Sequence, residues 1–268
     1  MKFRRSLQFL GMFVAAVPLT ASAFVTTFPA GTYGPLGTEV AGKEGWTISD
    51  PGPDGHASPL SFSNNLNGSV AAELGGAYDP PLATPPTSVF LSHDTAGEFQ
   101  YTSFNLEFAI AGSSELYPTR DGFGFGMRDS SNGNLLSVVL VPDTGDAYRV
   151  AYTVGNGPIV YAQDGLGSPM YIHQNGLYSL SLNITPGGAN PTFSATVTGT
   201  NAQTFTGIAT GLGSSTVDRF GALWNVAAST TAGDNGIIFD NLSVVPESST
   251  ALLAGLASFG LLRRRRTA

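Results

Sequence analysis

Apolar and polar residues alternate with a period of two through much of the middle of this 268-residue chain. Phe104, Leu106, Phe108 and Ile110 fall on one side of an extended segment, with Asn105, Glu107 and Ala109 on the other. That is the pattern of a strand with one face against a core. Tyr178 to Ile184 repeats it: Leu180, Leu182 and Ile184 alternate with Ser179, Ser181 and Asn183. Gly122 to Arg128 alternates glycine with Phe123, Phe125 and Met127. Leu135 to Val141 and Tyr148 to Val154 are two further runs, joined at the turn Asp143-Thr144-Gly145-Asp146. More strands are predicted at 192–197, 204–209, 220–225 and 237–244, and an early one around Trp46. The stretch Pro51 to Pro86 carries Pro53, Pro59, Pro80, Pro81 and Pro85 as well, and reads as a loop-rich insertion. Ten or more strands at this spacing predict an all-β fold, a two-sheet antiparallel sandwich.

Two apolar runs do not alternate, and both lie at chain ends. Lys2, Arg4 and Arg5 precede the apolar run Leu7 to Leu19, and Ala21-Ser22-Ala23 follows as an A-x-A cleavage site. Residues 1–23 therefore read as a signal peptide, with a signal helix cut after Ala23. At the other end Ser249 to Leu262 is uncharged and stops at Arg263, Arg264, Arg265 and Arg266. As a helix it would rise roughly 21 Å, short of a hydrocarbon core of ~30 Å, a gap that tilt and snorkelling arginines can narrow. The arginines place that end on the cytoplasmic side of a membrane and the preceding chain outside. The organisation expected is thus a signal peptide (1–23), a sandwich (24–244) and a tail (245–268) with a short transmembrane helix.

Composition sharpens this picture. Thirty-four glycines and seventeen prolines disfavour helices, and the absence of cysteine means that an exported domain must be held by core burial alone. Seven of the twelve basic residues sit in the two end segments, while all acids but Glu247 lie between them. The central region keeps only Lys43, Arg120, Arg128, Arg149 and Arg219 against eighteen acids, a net charge of −13. Such a surface repels phosphates and sets nucleic-acid binding aside.

The tail resembles the PEP-CTERM sorting signal of exported bacterial proteins: a Pro-Glu-Pro motif, a transmembrane stretch and an arginine cluster. Pro246 and Glu247 match the motif, and Ser248 stands where the second proline is usual. The resemblance implies recognition by a membrane-embedded processing enzyme, exosortase, with the protein anchored in the cell envelope or released after processing. The strand order resembles concanavalin-A-like or laminin-G-like jelly rolls, and Ile237 to Val244 is similar to the closing strand of many carbohydrate-binding modules.

Candidate chemistry is sparse. Gly122-Phe123-Gly124-Phe125-Gly126 lacks the spacing and the following helix of a dinucleotide loop, and reads as a strand face closely approached by neighbouring chain. His56, His93 and His173 are scattered, and only His93-Asp94 sets a base beside a carboxylate. Glycoside hydrolysis needs two facing carboxylates; Glu98, Glu107 and Glu115 are the candidates, without the Glu-x-Asp-x-x-Glu strand motif of laminarinase-type jelly rolls. For sugar stacking Trp46, Trp224, Tyr161 and Tyr171 are the candidate rings. The jelly-roll resemblance implies a structural Ca²⁺ held by Asp240 and Asp234 of the closing region with Glu39 or Glu44 near the N-terminus, an oxygen-only set suited to calcium. The expected function is a non-catalytic surface or matrix adhesion protein that binds extracellular polysaccharide. The alternatives are a glycan hydrolase or lyase on the same scaffold, and a purely structural surface protein.

Overall fold

A computed structural model describes residues 24–49, 61–75, 88–99, 102–112, 117, 120–129, 131, 133–185, 191–199, 203–208, 217–225 and 236–246. All belong to one compact unit, Ser22–Glu247. The signal helix, the transmembrane helix, Asp234 and His56 lie outside the described residues, among which no helix is long and apolar enough to cross a membrane.

The strands are β1 (Phe24–Thr26), β2 (Trp46–Ser49), β3 (Ser61–Leu66), β4 (Ser69–Gly75), β5 (Val89–Phe99), β6 (Thr102–Ile110), β7 (Gly122–Arg128) and β8 (Asn134–Pro142). They continue as β9 (Ala147–Val154), β10 (Val160–Tyr161), β11 (Tyr171–His173), β12 (Tyr178–Thr185), β13 (Thr192–Thr198), β14 (Gln203–Ile208), β15 (Val217–Asn225) and β16 (Gly236–Pro246). One sheet runs β14-β13-β12-β6-β16-β4-β3, with β1 also on β16; the other runs β10-β9-β8-β7-β15-β5-β2, with β11 on β9. Every strand pair is antiparallel. Their apolar faces meet in one core, so the predicted two-sheet sandwich is the observed fold. At its centre Phe239 packs against Phe28, Trp46 and Phe125, with ring centroids 5.6, 5.7 and 5.9 Å away.

The alternation in β6 and β12 marks strands buried on one side: Leu180, Leu182 and Ile184 are buried and their neighbours are not. The stretch 51–86 corrects the sequence reading. It contains the hairpin β3–β4, turned by Asn67 and Gly68 at φ 50° and 88°, and β4 pairs with the closing strand β16. An Asn-Gly pair is a two-residue hairpin signal. Alternation missed β4 because Ala71, Ala72, Glu73 and Leu74 are all buried, so no polar face marks it.

Glu73 is only 4% exposed and accepts a hydrogen bond from the Asn64 amide. Burial pushes its carboxyl above the ordinary 4.5, against the smaller opposing pull of Asn64. A carboxyl raised in the folded state favours folding fully below its unfolded pKa, and that contribution is lost as pH rises through the folded value. Glu73→Gln, which keeps the shape, is therefore expected to melt higher than the parent at pH 7. The difference should fade towards pH 4, and thermal melts at the two pH values check it.

Candidate functional site

The side of the β7–β8–β15 sheet that faces away from the core holds a groove of about 670 Å³. Its floor follows from the residues that alternate with the core. On β7, Phe123, Phe125 and Met127 are buried inward, so Gly122, Gly124, Gly126 and Arg128 face outward. Cross-strand register sorts this face into rows. Arg219, Arg128 and Asn134 form one; Gly221, Gly126, Ser137 and Thr153 form the next; Leu223, Gly124, Val139, Ala151 and Tyr161 form a third.

Gly221 and Gly124 are enforced by close approach of neighbouring backbone, and Gly126 is approached by a side chain. A Cβ at Gly221 would overlap the Leu91 carbonyl oxygen and lie 2.7 Å from Ser92 Cα. At Gly124 it would overlap the Val138 carbonyl, and at Gly126 it would lie 2.6 Å from Ser137 Oγ. All of these glycines, Gly122 included, are buried, and among them Gly122 alone lines the groove. Beside them Ser137 Oγ donates to Asn134 Oδ1 (2.7 Å), and Asn134 Nδ2 donates to Thr153 Oγ1 (3.1 Å) and the Gly155 carbonyl (2.6 Å). On the other side stand Leu223, Val139, Ile159 and the rings of Tyr161 and Tyr117, which are 42% and 50% exposed.

Arginines mark both ends. The Arg128 guanidinium lies 4.0 Å from the centroid of the Phe90 ring, beside its cross-strand neighbour Arg219. Burial, and secondarily repulsion from Arg219, hold the Arg128 guanidinium below its ordinary pKa. At the far end Arg149 stacks on Tyr161, 4.0 Å from its centroid, and reaches Asp143 at 3.9 Å. Arg120, 2% exposed, lines the wall there; its Nη atoms hold three backbone carbonyls, while its buried Nε has no hydrogen-bond partner. Among the described residues lining the groove there is no Asp, Glu or His.

The residues singled out from sequence are dispersed. Trp46 and Trp224 are core residues, 0% and 1% exposed, and Trp224 Nε1 donates to the buried Asp121 carboxylate at 2.8 Å. Tyr161 stands on the groove, and Tyr171 is 39% exposed opposite Arg149. The ring nitrogens of His93 lie against the backbone carbonyls of Asp94 (2.7 Å) and Glu44 (2.8 Å), and its ring stacks on Phe220. His173 Nδ1 lies 3.0 Å from Asp146 Oδ1 on the exposed β9–β11 edge, a contact that holds the Asp146 carboxyl below its ordinary value. Glu107 accepts a hydrogen bond from Asn241.

A second, smaller pocket of about 370 Å³ lies at Asp240. There β4 leaves the edge of β16 and β1 takes it over, and β16 breaks register between Asp240 and Ser243, with Asn241 at φ 53°. Asp240 is 3% exposed; its Oδ2 accepts from Ser69 Oγ at 2.7 Å, and its buried Oδ1 has no partner. An orphaned carboxylate oxygen beside a hydroxyl and Asn241 suits a hard cation. Glu39 and Glu44 do not line this pocket: Glu39 is exposed, and Glu44 accepts the Tyr33 hydroxyl at 2.9 Å. Burial first, and Glu44 second, push the Tyr33 hydroxyl up. Among the described residues no three His, Asp or Glu side chains converge on a metal position.

No protein-family profile matches the chain, and no curated protein matches it. Among solved structures it is similar to the PL-14 alginate lyase from Aplysia kurodai, at 10% identity over 70% of this chain and 87% of that one, TM-score 0.46. It is also similar to the Lotus tetragonolobus seed lectin, at 11% identity over 78% and 96%, TM-score 0.42. A third likeness is to the CBM2 module of the evolved Dit of Lactobacillus casei BL23 phage J-1, at 14% identity over 74% and 90%, TM-score 0.44.

Proposed function

We propose that this is an exported, non-catalytic glycan-binding protein that holds a polysaccharide chain along the groove over β7, β8 and β15. The observation that carries the reading is the groove's make-up. A sugar ring offers a hydroxylated edge and an apolar face. The Asn134–Ser137–Thr153 network meets hydroxyls, and Tyr161 and Tyr117 offer apolar faces. Among the described residues the lining gives hydrolysis no carboxylate pair, and Glu98 and Glu115 lie outside the described side chains; on the described lining the binder is favoured over the glycosidase.

The two end segments extend the proposal. The basic n-region and A-x-A site support export, and Pro246, Glu247 and Arg263 to Arg266 support retention at the cytoplasmic membrane through an exosortase-like enzyme. Calcium at Asp240 would serve a structural role, supported by the orphaned Oδ1.

The test is titration calorimetry of the detergent-solubilised full chain against a panel of neutral and acidic polysaccharides, with and without EDTA. Tyr161→Ala, on an exposed ring, is expected to weaken binding about tenfold with little change in melting temperature. Absence of heat with every polysaccharide would reject the groove reading, and EDTA-insensitive binding and melting would remove calcium from it.

A further inference from the structure

Four of the five basic residues of the acidic central region share one face of the sandwich. The fifth, Lys43, lies elsewhere, donating to the Tyr33 carbonyl. Arg120 and Arg128 line the groove, Arg219 is the cross-strand neighbour of Arg128, and Arg149 stands on the same face beside Tyr161. These four come from β7, β9, β15 and the segment before β7, and only the sheet order brings them together. They make two poles. Asn134, opposite Arg128, and Val141, opposite Arg149, are seven residues apart along β8, roughly 23 Å. Among the described residues the acids nearby are Asp94 opposite Arg219, Asp129 and Asp218 next in sequence to Arg128 and Arg219, and Asp143 by Arg149. Arg120, 2% exposed, contributes its charge from behind the groove wall.

Resting on the reading of the groove as a glycan site, we propose that its ligand is an acidic polysaccharide whose anionic groups engage the Arg128–Arg219 pole and the Arg149–Arg120 pole. A domain carrying a net −13 repels polyanions at long range, and the field at short range is set by the local arginines. Side-by-side guanidinium forks match the paired oxygens of a carboxylate or a sulfate, whereas a neutral chain has no need of them. The separation of the poles further requires a chain of several sugar units.

Each of two polyanions is titrated beside its uncharged counterpart: polygalacturonate with its carboxyl-reduced form, and dextran sulfate with dextran. The full chain is expected to bind at least one polyanion ten or more times tighter than its neutral partner, with affinity falling between 0.05 and 0.5 M NaCl; which polyanion wins identifies the anion. Affinity should also rise with oligomer length until both poles are spanned. Arg219→Gln should remove about tenfold of polyanion affinity and leave any neutral binding unchanged, while Arg219→Lys restores part of it; melting curves confirm that both variants fold. Equal, salt-insensitive binding of charged and neutral partners overturns the acidic-ligand inference and leaves the groove reading standing. No binding of any of the four overturns both.

Discussion

Replacing Gly221 with alanine is expected to lower the melting temperature by about 6–12 °C, a loss of about 3 kcal/mol in a sandwich of this size. The added methyl would enter the space of the Leu91 carbonyl oxygen and press on Ser92 Cα at 2.7 Å. Both obstacles are main-chain atoms of β5, which is hydrogen-bonded to β15 through this register, so no side chain can turn away to make room. Relief demands a shift of β5 relative to β15. That shift would disturb Leu91, buried in the core on one side, and the groove floor on the other. Gly165→Ala is the control, since a Cβ there meets nothing within 4 Å and its φ is ordinary; it should change stability by less than about 0.5 kcal/mol. Equal melting temperatures for the two variants would show that β5 yields freely and that glycine at 221 is not required. A stable Gly221→Ala protein with a shallower groove would be equally decisive against the close-approach argument.

The same glycines show where sequence is legible and where it is not. Period-two alternation disclosed β6, β9, β12 and β13, because each has one face in the core and one outside; β7 showed as alternating glycine and large apolar residues although both its faces are buried, and β8 as an apolar run ended by a turn. It also showed that the glycine-phenylalanine run was a strand closely approached by other chain. It could not disclose β4, buried on both sides, and it passed over the Asn67-Gly68 turn, whose signal is local chemistry and not periodicity. The groove was hidden for a topological reason. Arg128, Arg149 and Arg219 are separated by tens of residues, and only the order β9-β8-β7-β15 sets them on one surface. Rings were misleading by themselves. Trp224 falls in step with Ala222 and Phe220, both buried, so the parity of its strand sends it inward, whereas Tyr161 shares the outward row of Val139. A charge map by strand parity, drawn before any site motif was sought, would have placed Arg128, Arg149 and Arg219 outward.

Arg120→Leu is expected to cost about 3–5 kcal/mol, the largest loss of any single change to the groove wall. Its Nη1 donates to the Gly145 carbonyl at 2.8 Å, and its Nη2 to those of Asp143 (2.8 Å) and Ala147 (2.7 Å). The guanidinium also lies 4.5 Å from the centroid of the buried Tyr148 ring. One planar cation thus closes the β8–β9 turn: a leucine would take the Arg120 donors from the Gly145 and Asp143 carbonyls and one of two donors from the Ala147 carbonyl, which the Asp143 amide also meets. Lysine should not rescue the variant, because three carbonyls spread around a flat fork cannot be met by a single ammonium on a flexible stem. Hydrogen exchange gives the distinguishing readout. Amides of the 143–147 turn should lose protection in both variants at temperatures where the amides of β12 and β13 keep theirs. Melting within about 1 kcal/mol of the parent, or full rescue by lysine, would reduce Arg120 to a surface charge. The arrangement has a further consequence for the groove. With both Nη atoms committed to the turn and the Nε buried, Arg120 offers a bound chain its charge but not its fork. Fork-like recognition of acidic groups at the other pole then falls to Arg219, with Arg128 adding its charge, so Arg219→Gln should weaken a polyanion at unchanged stability, whereas Arg120 variants lose stability first.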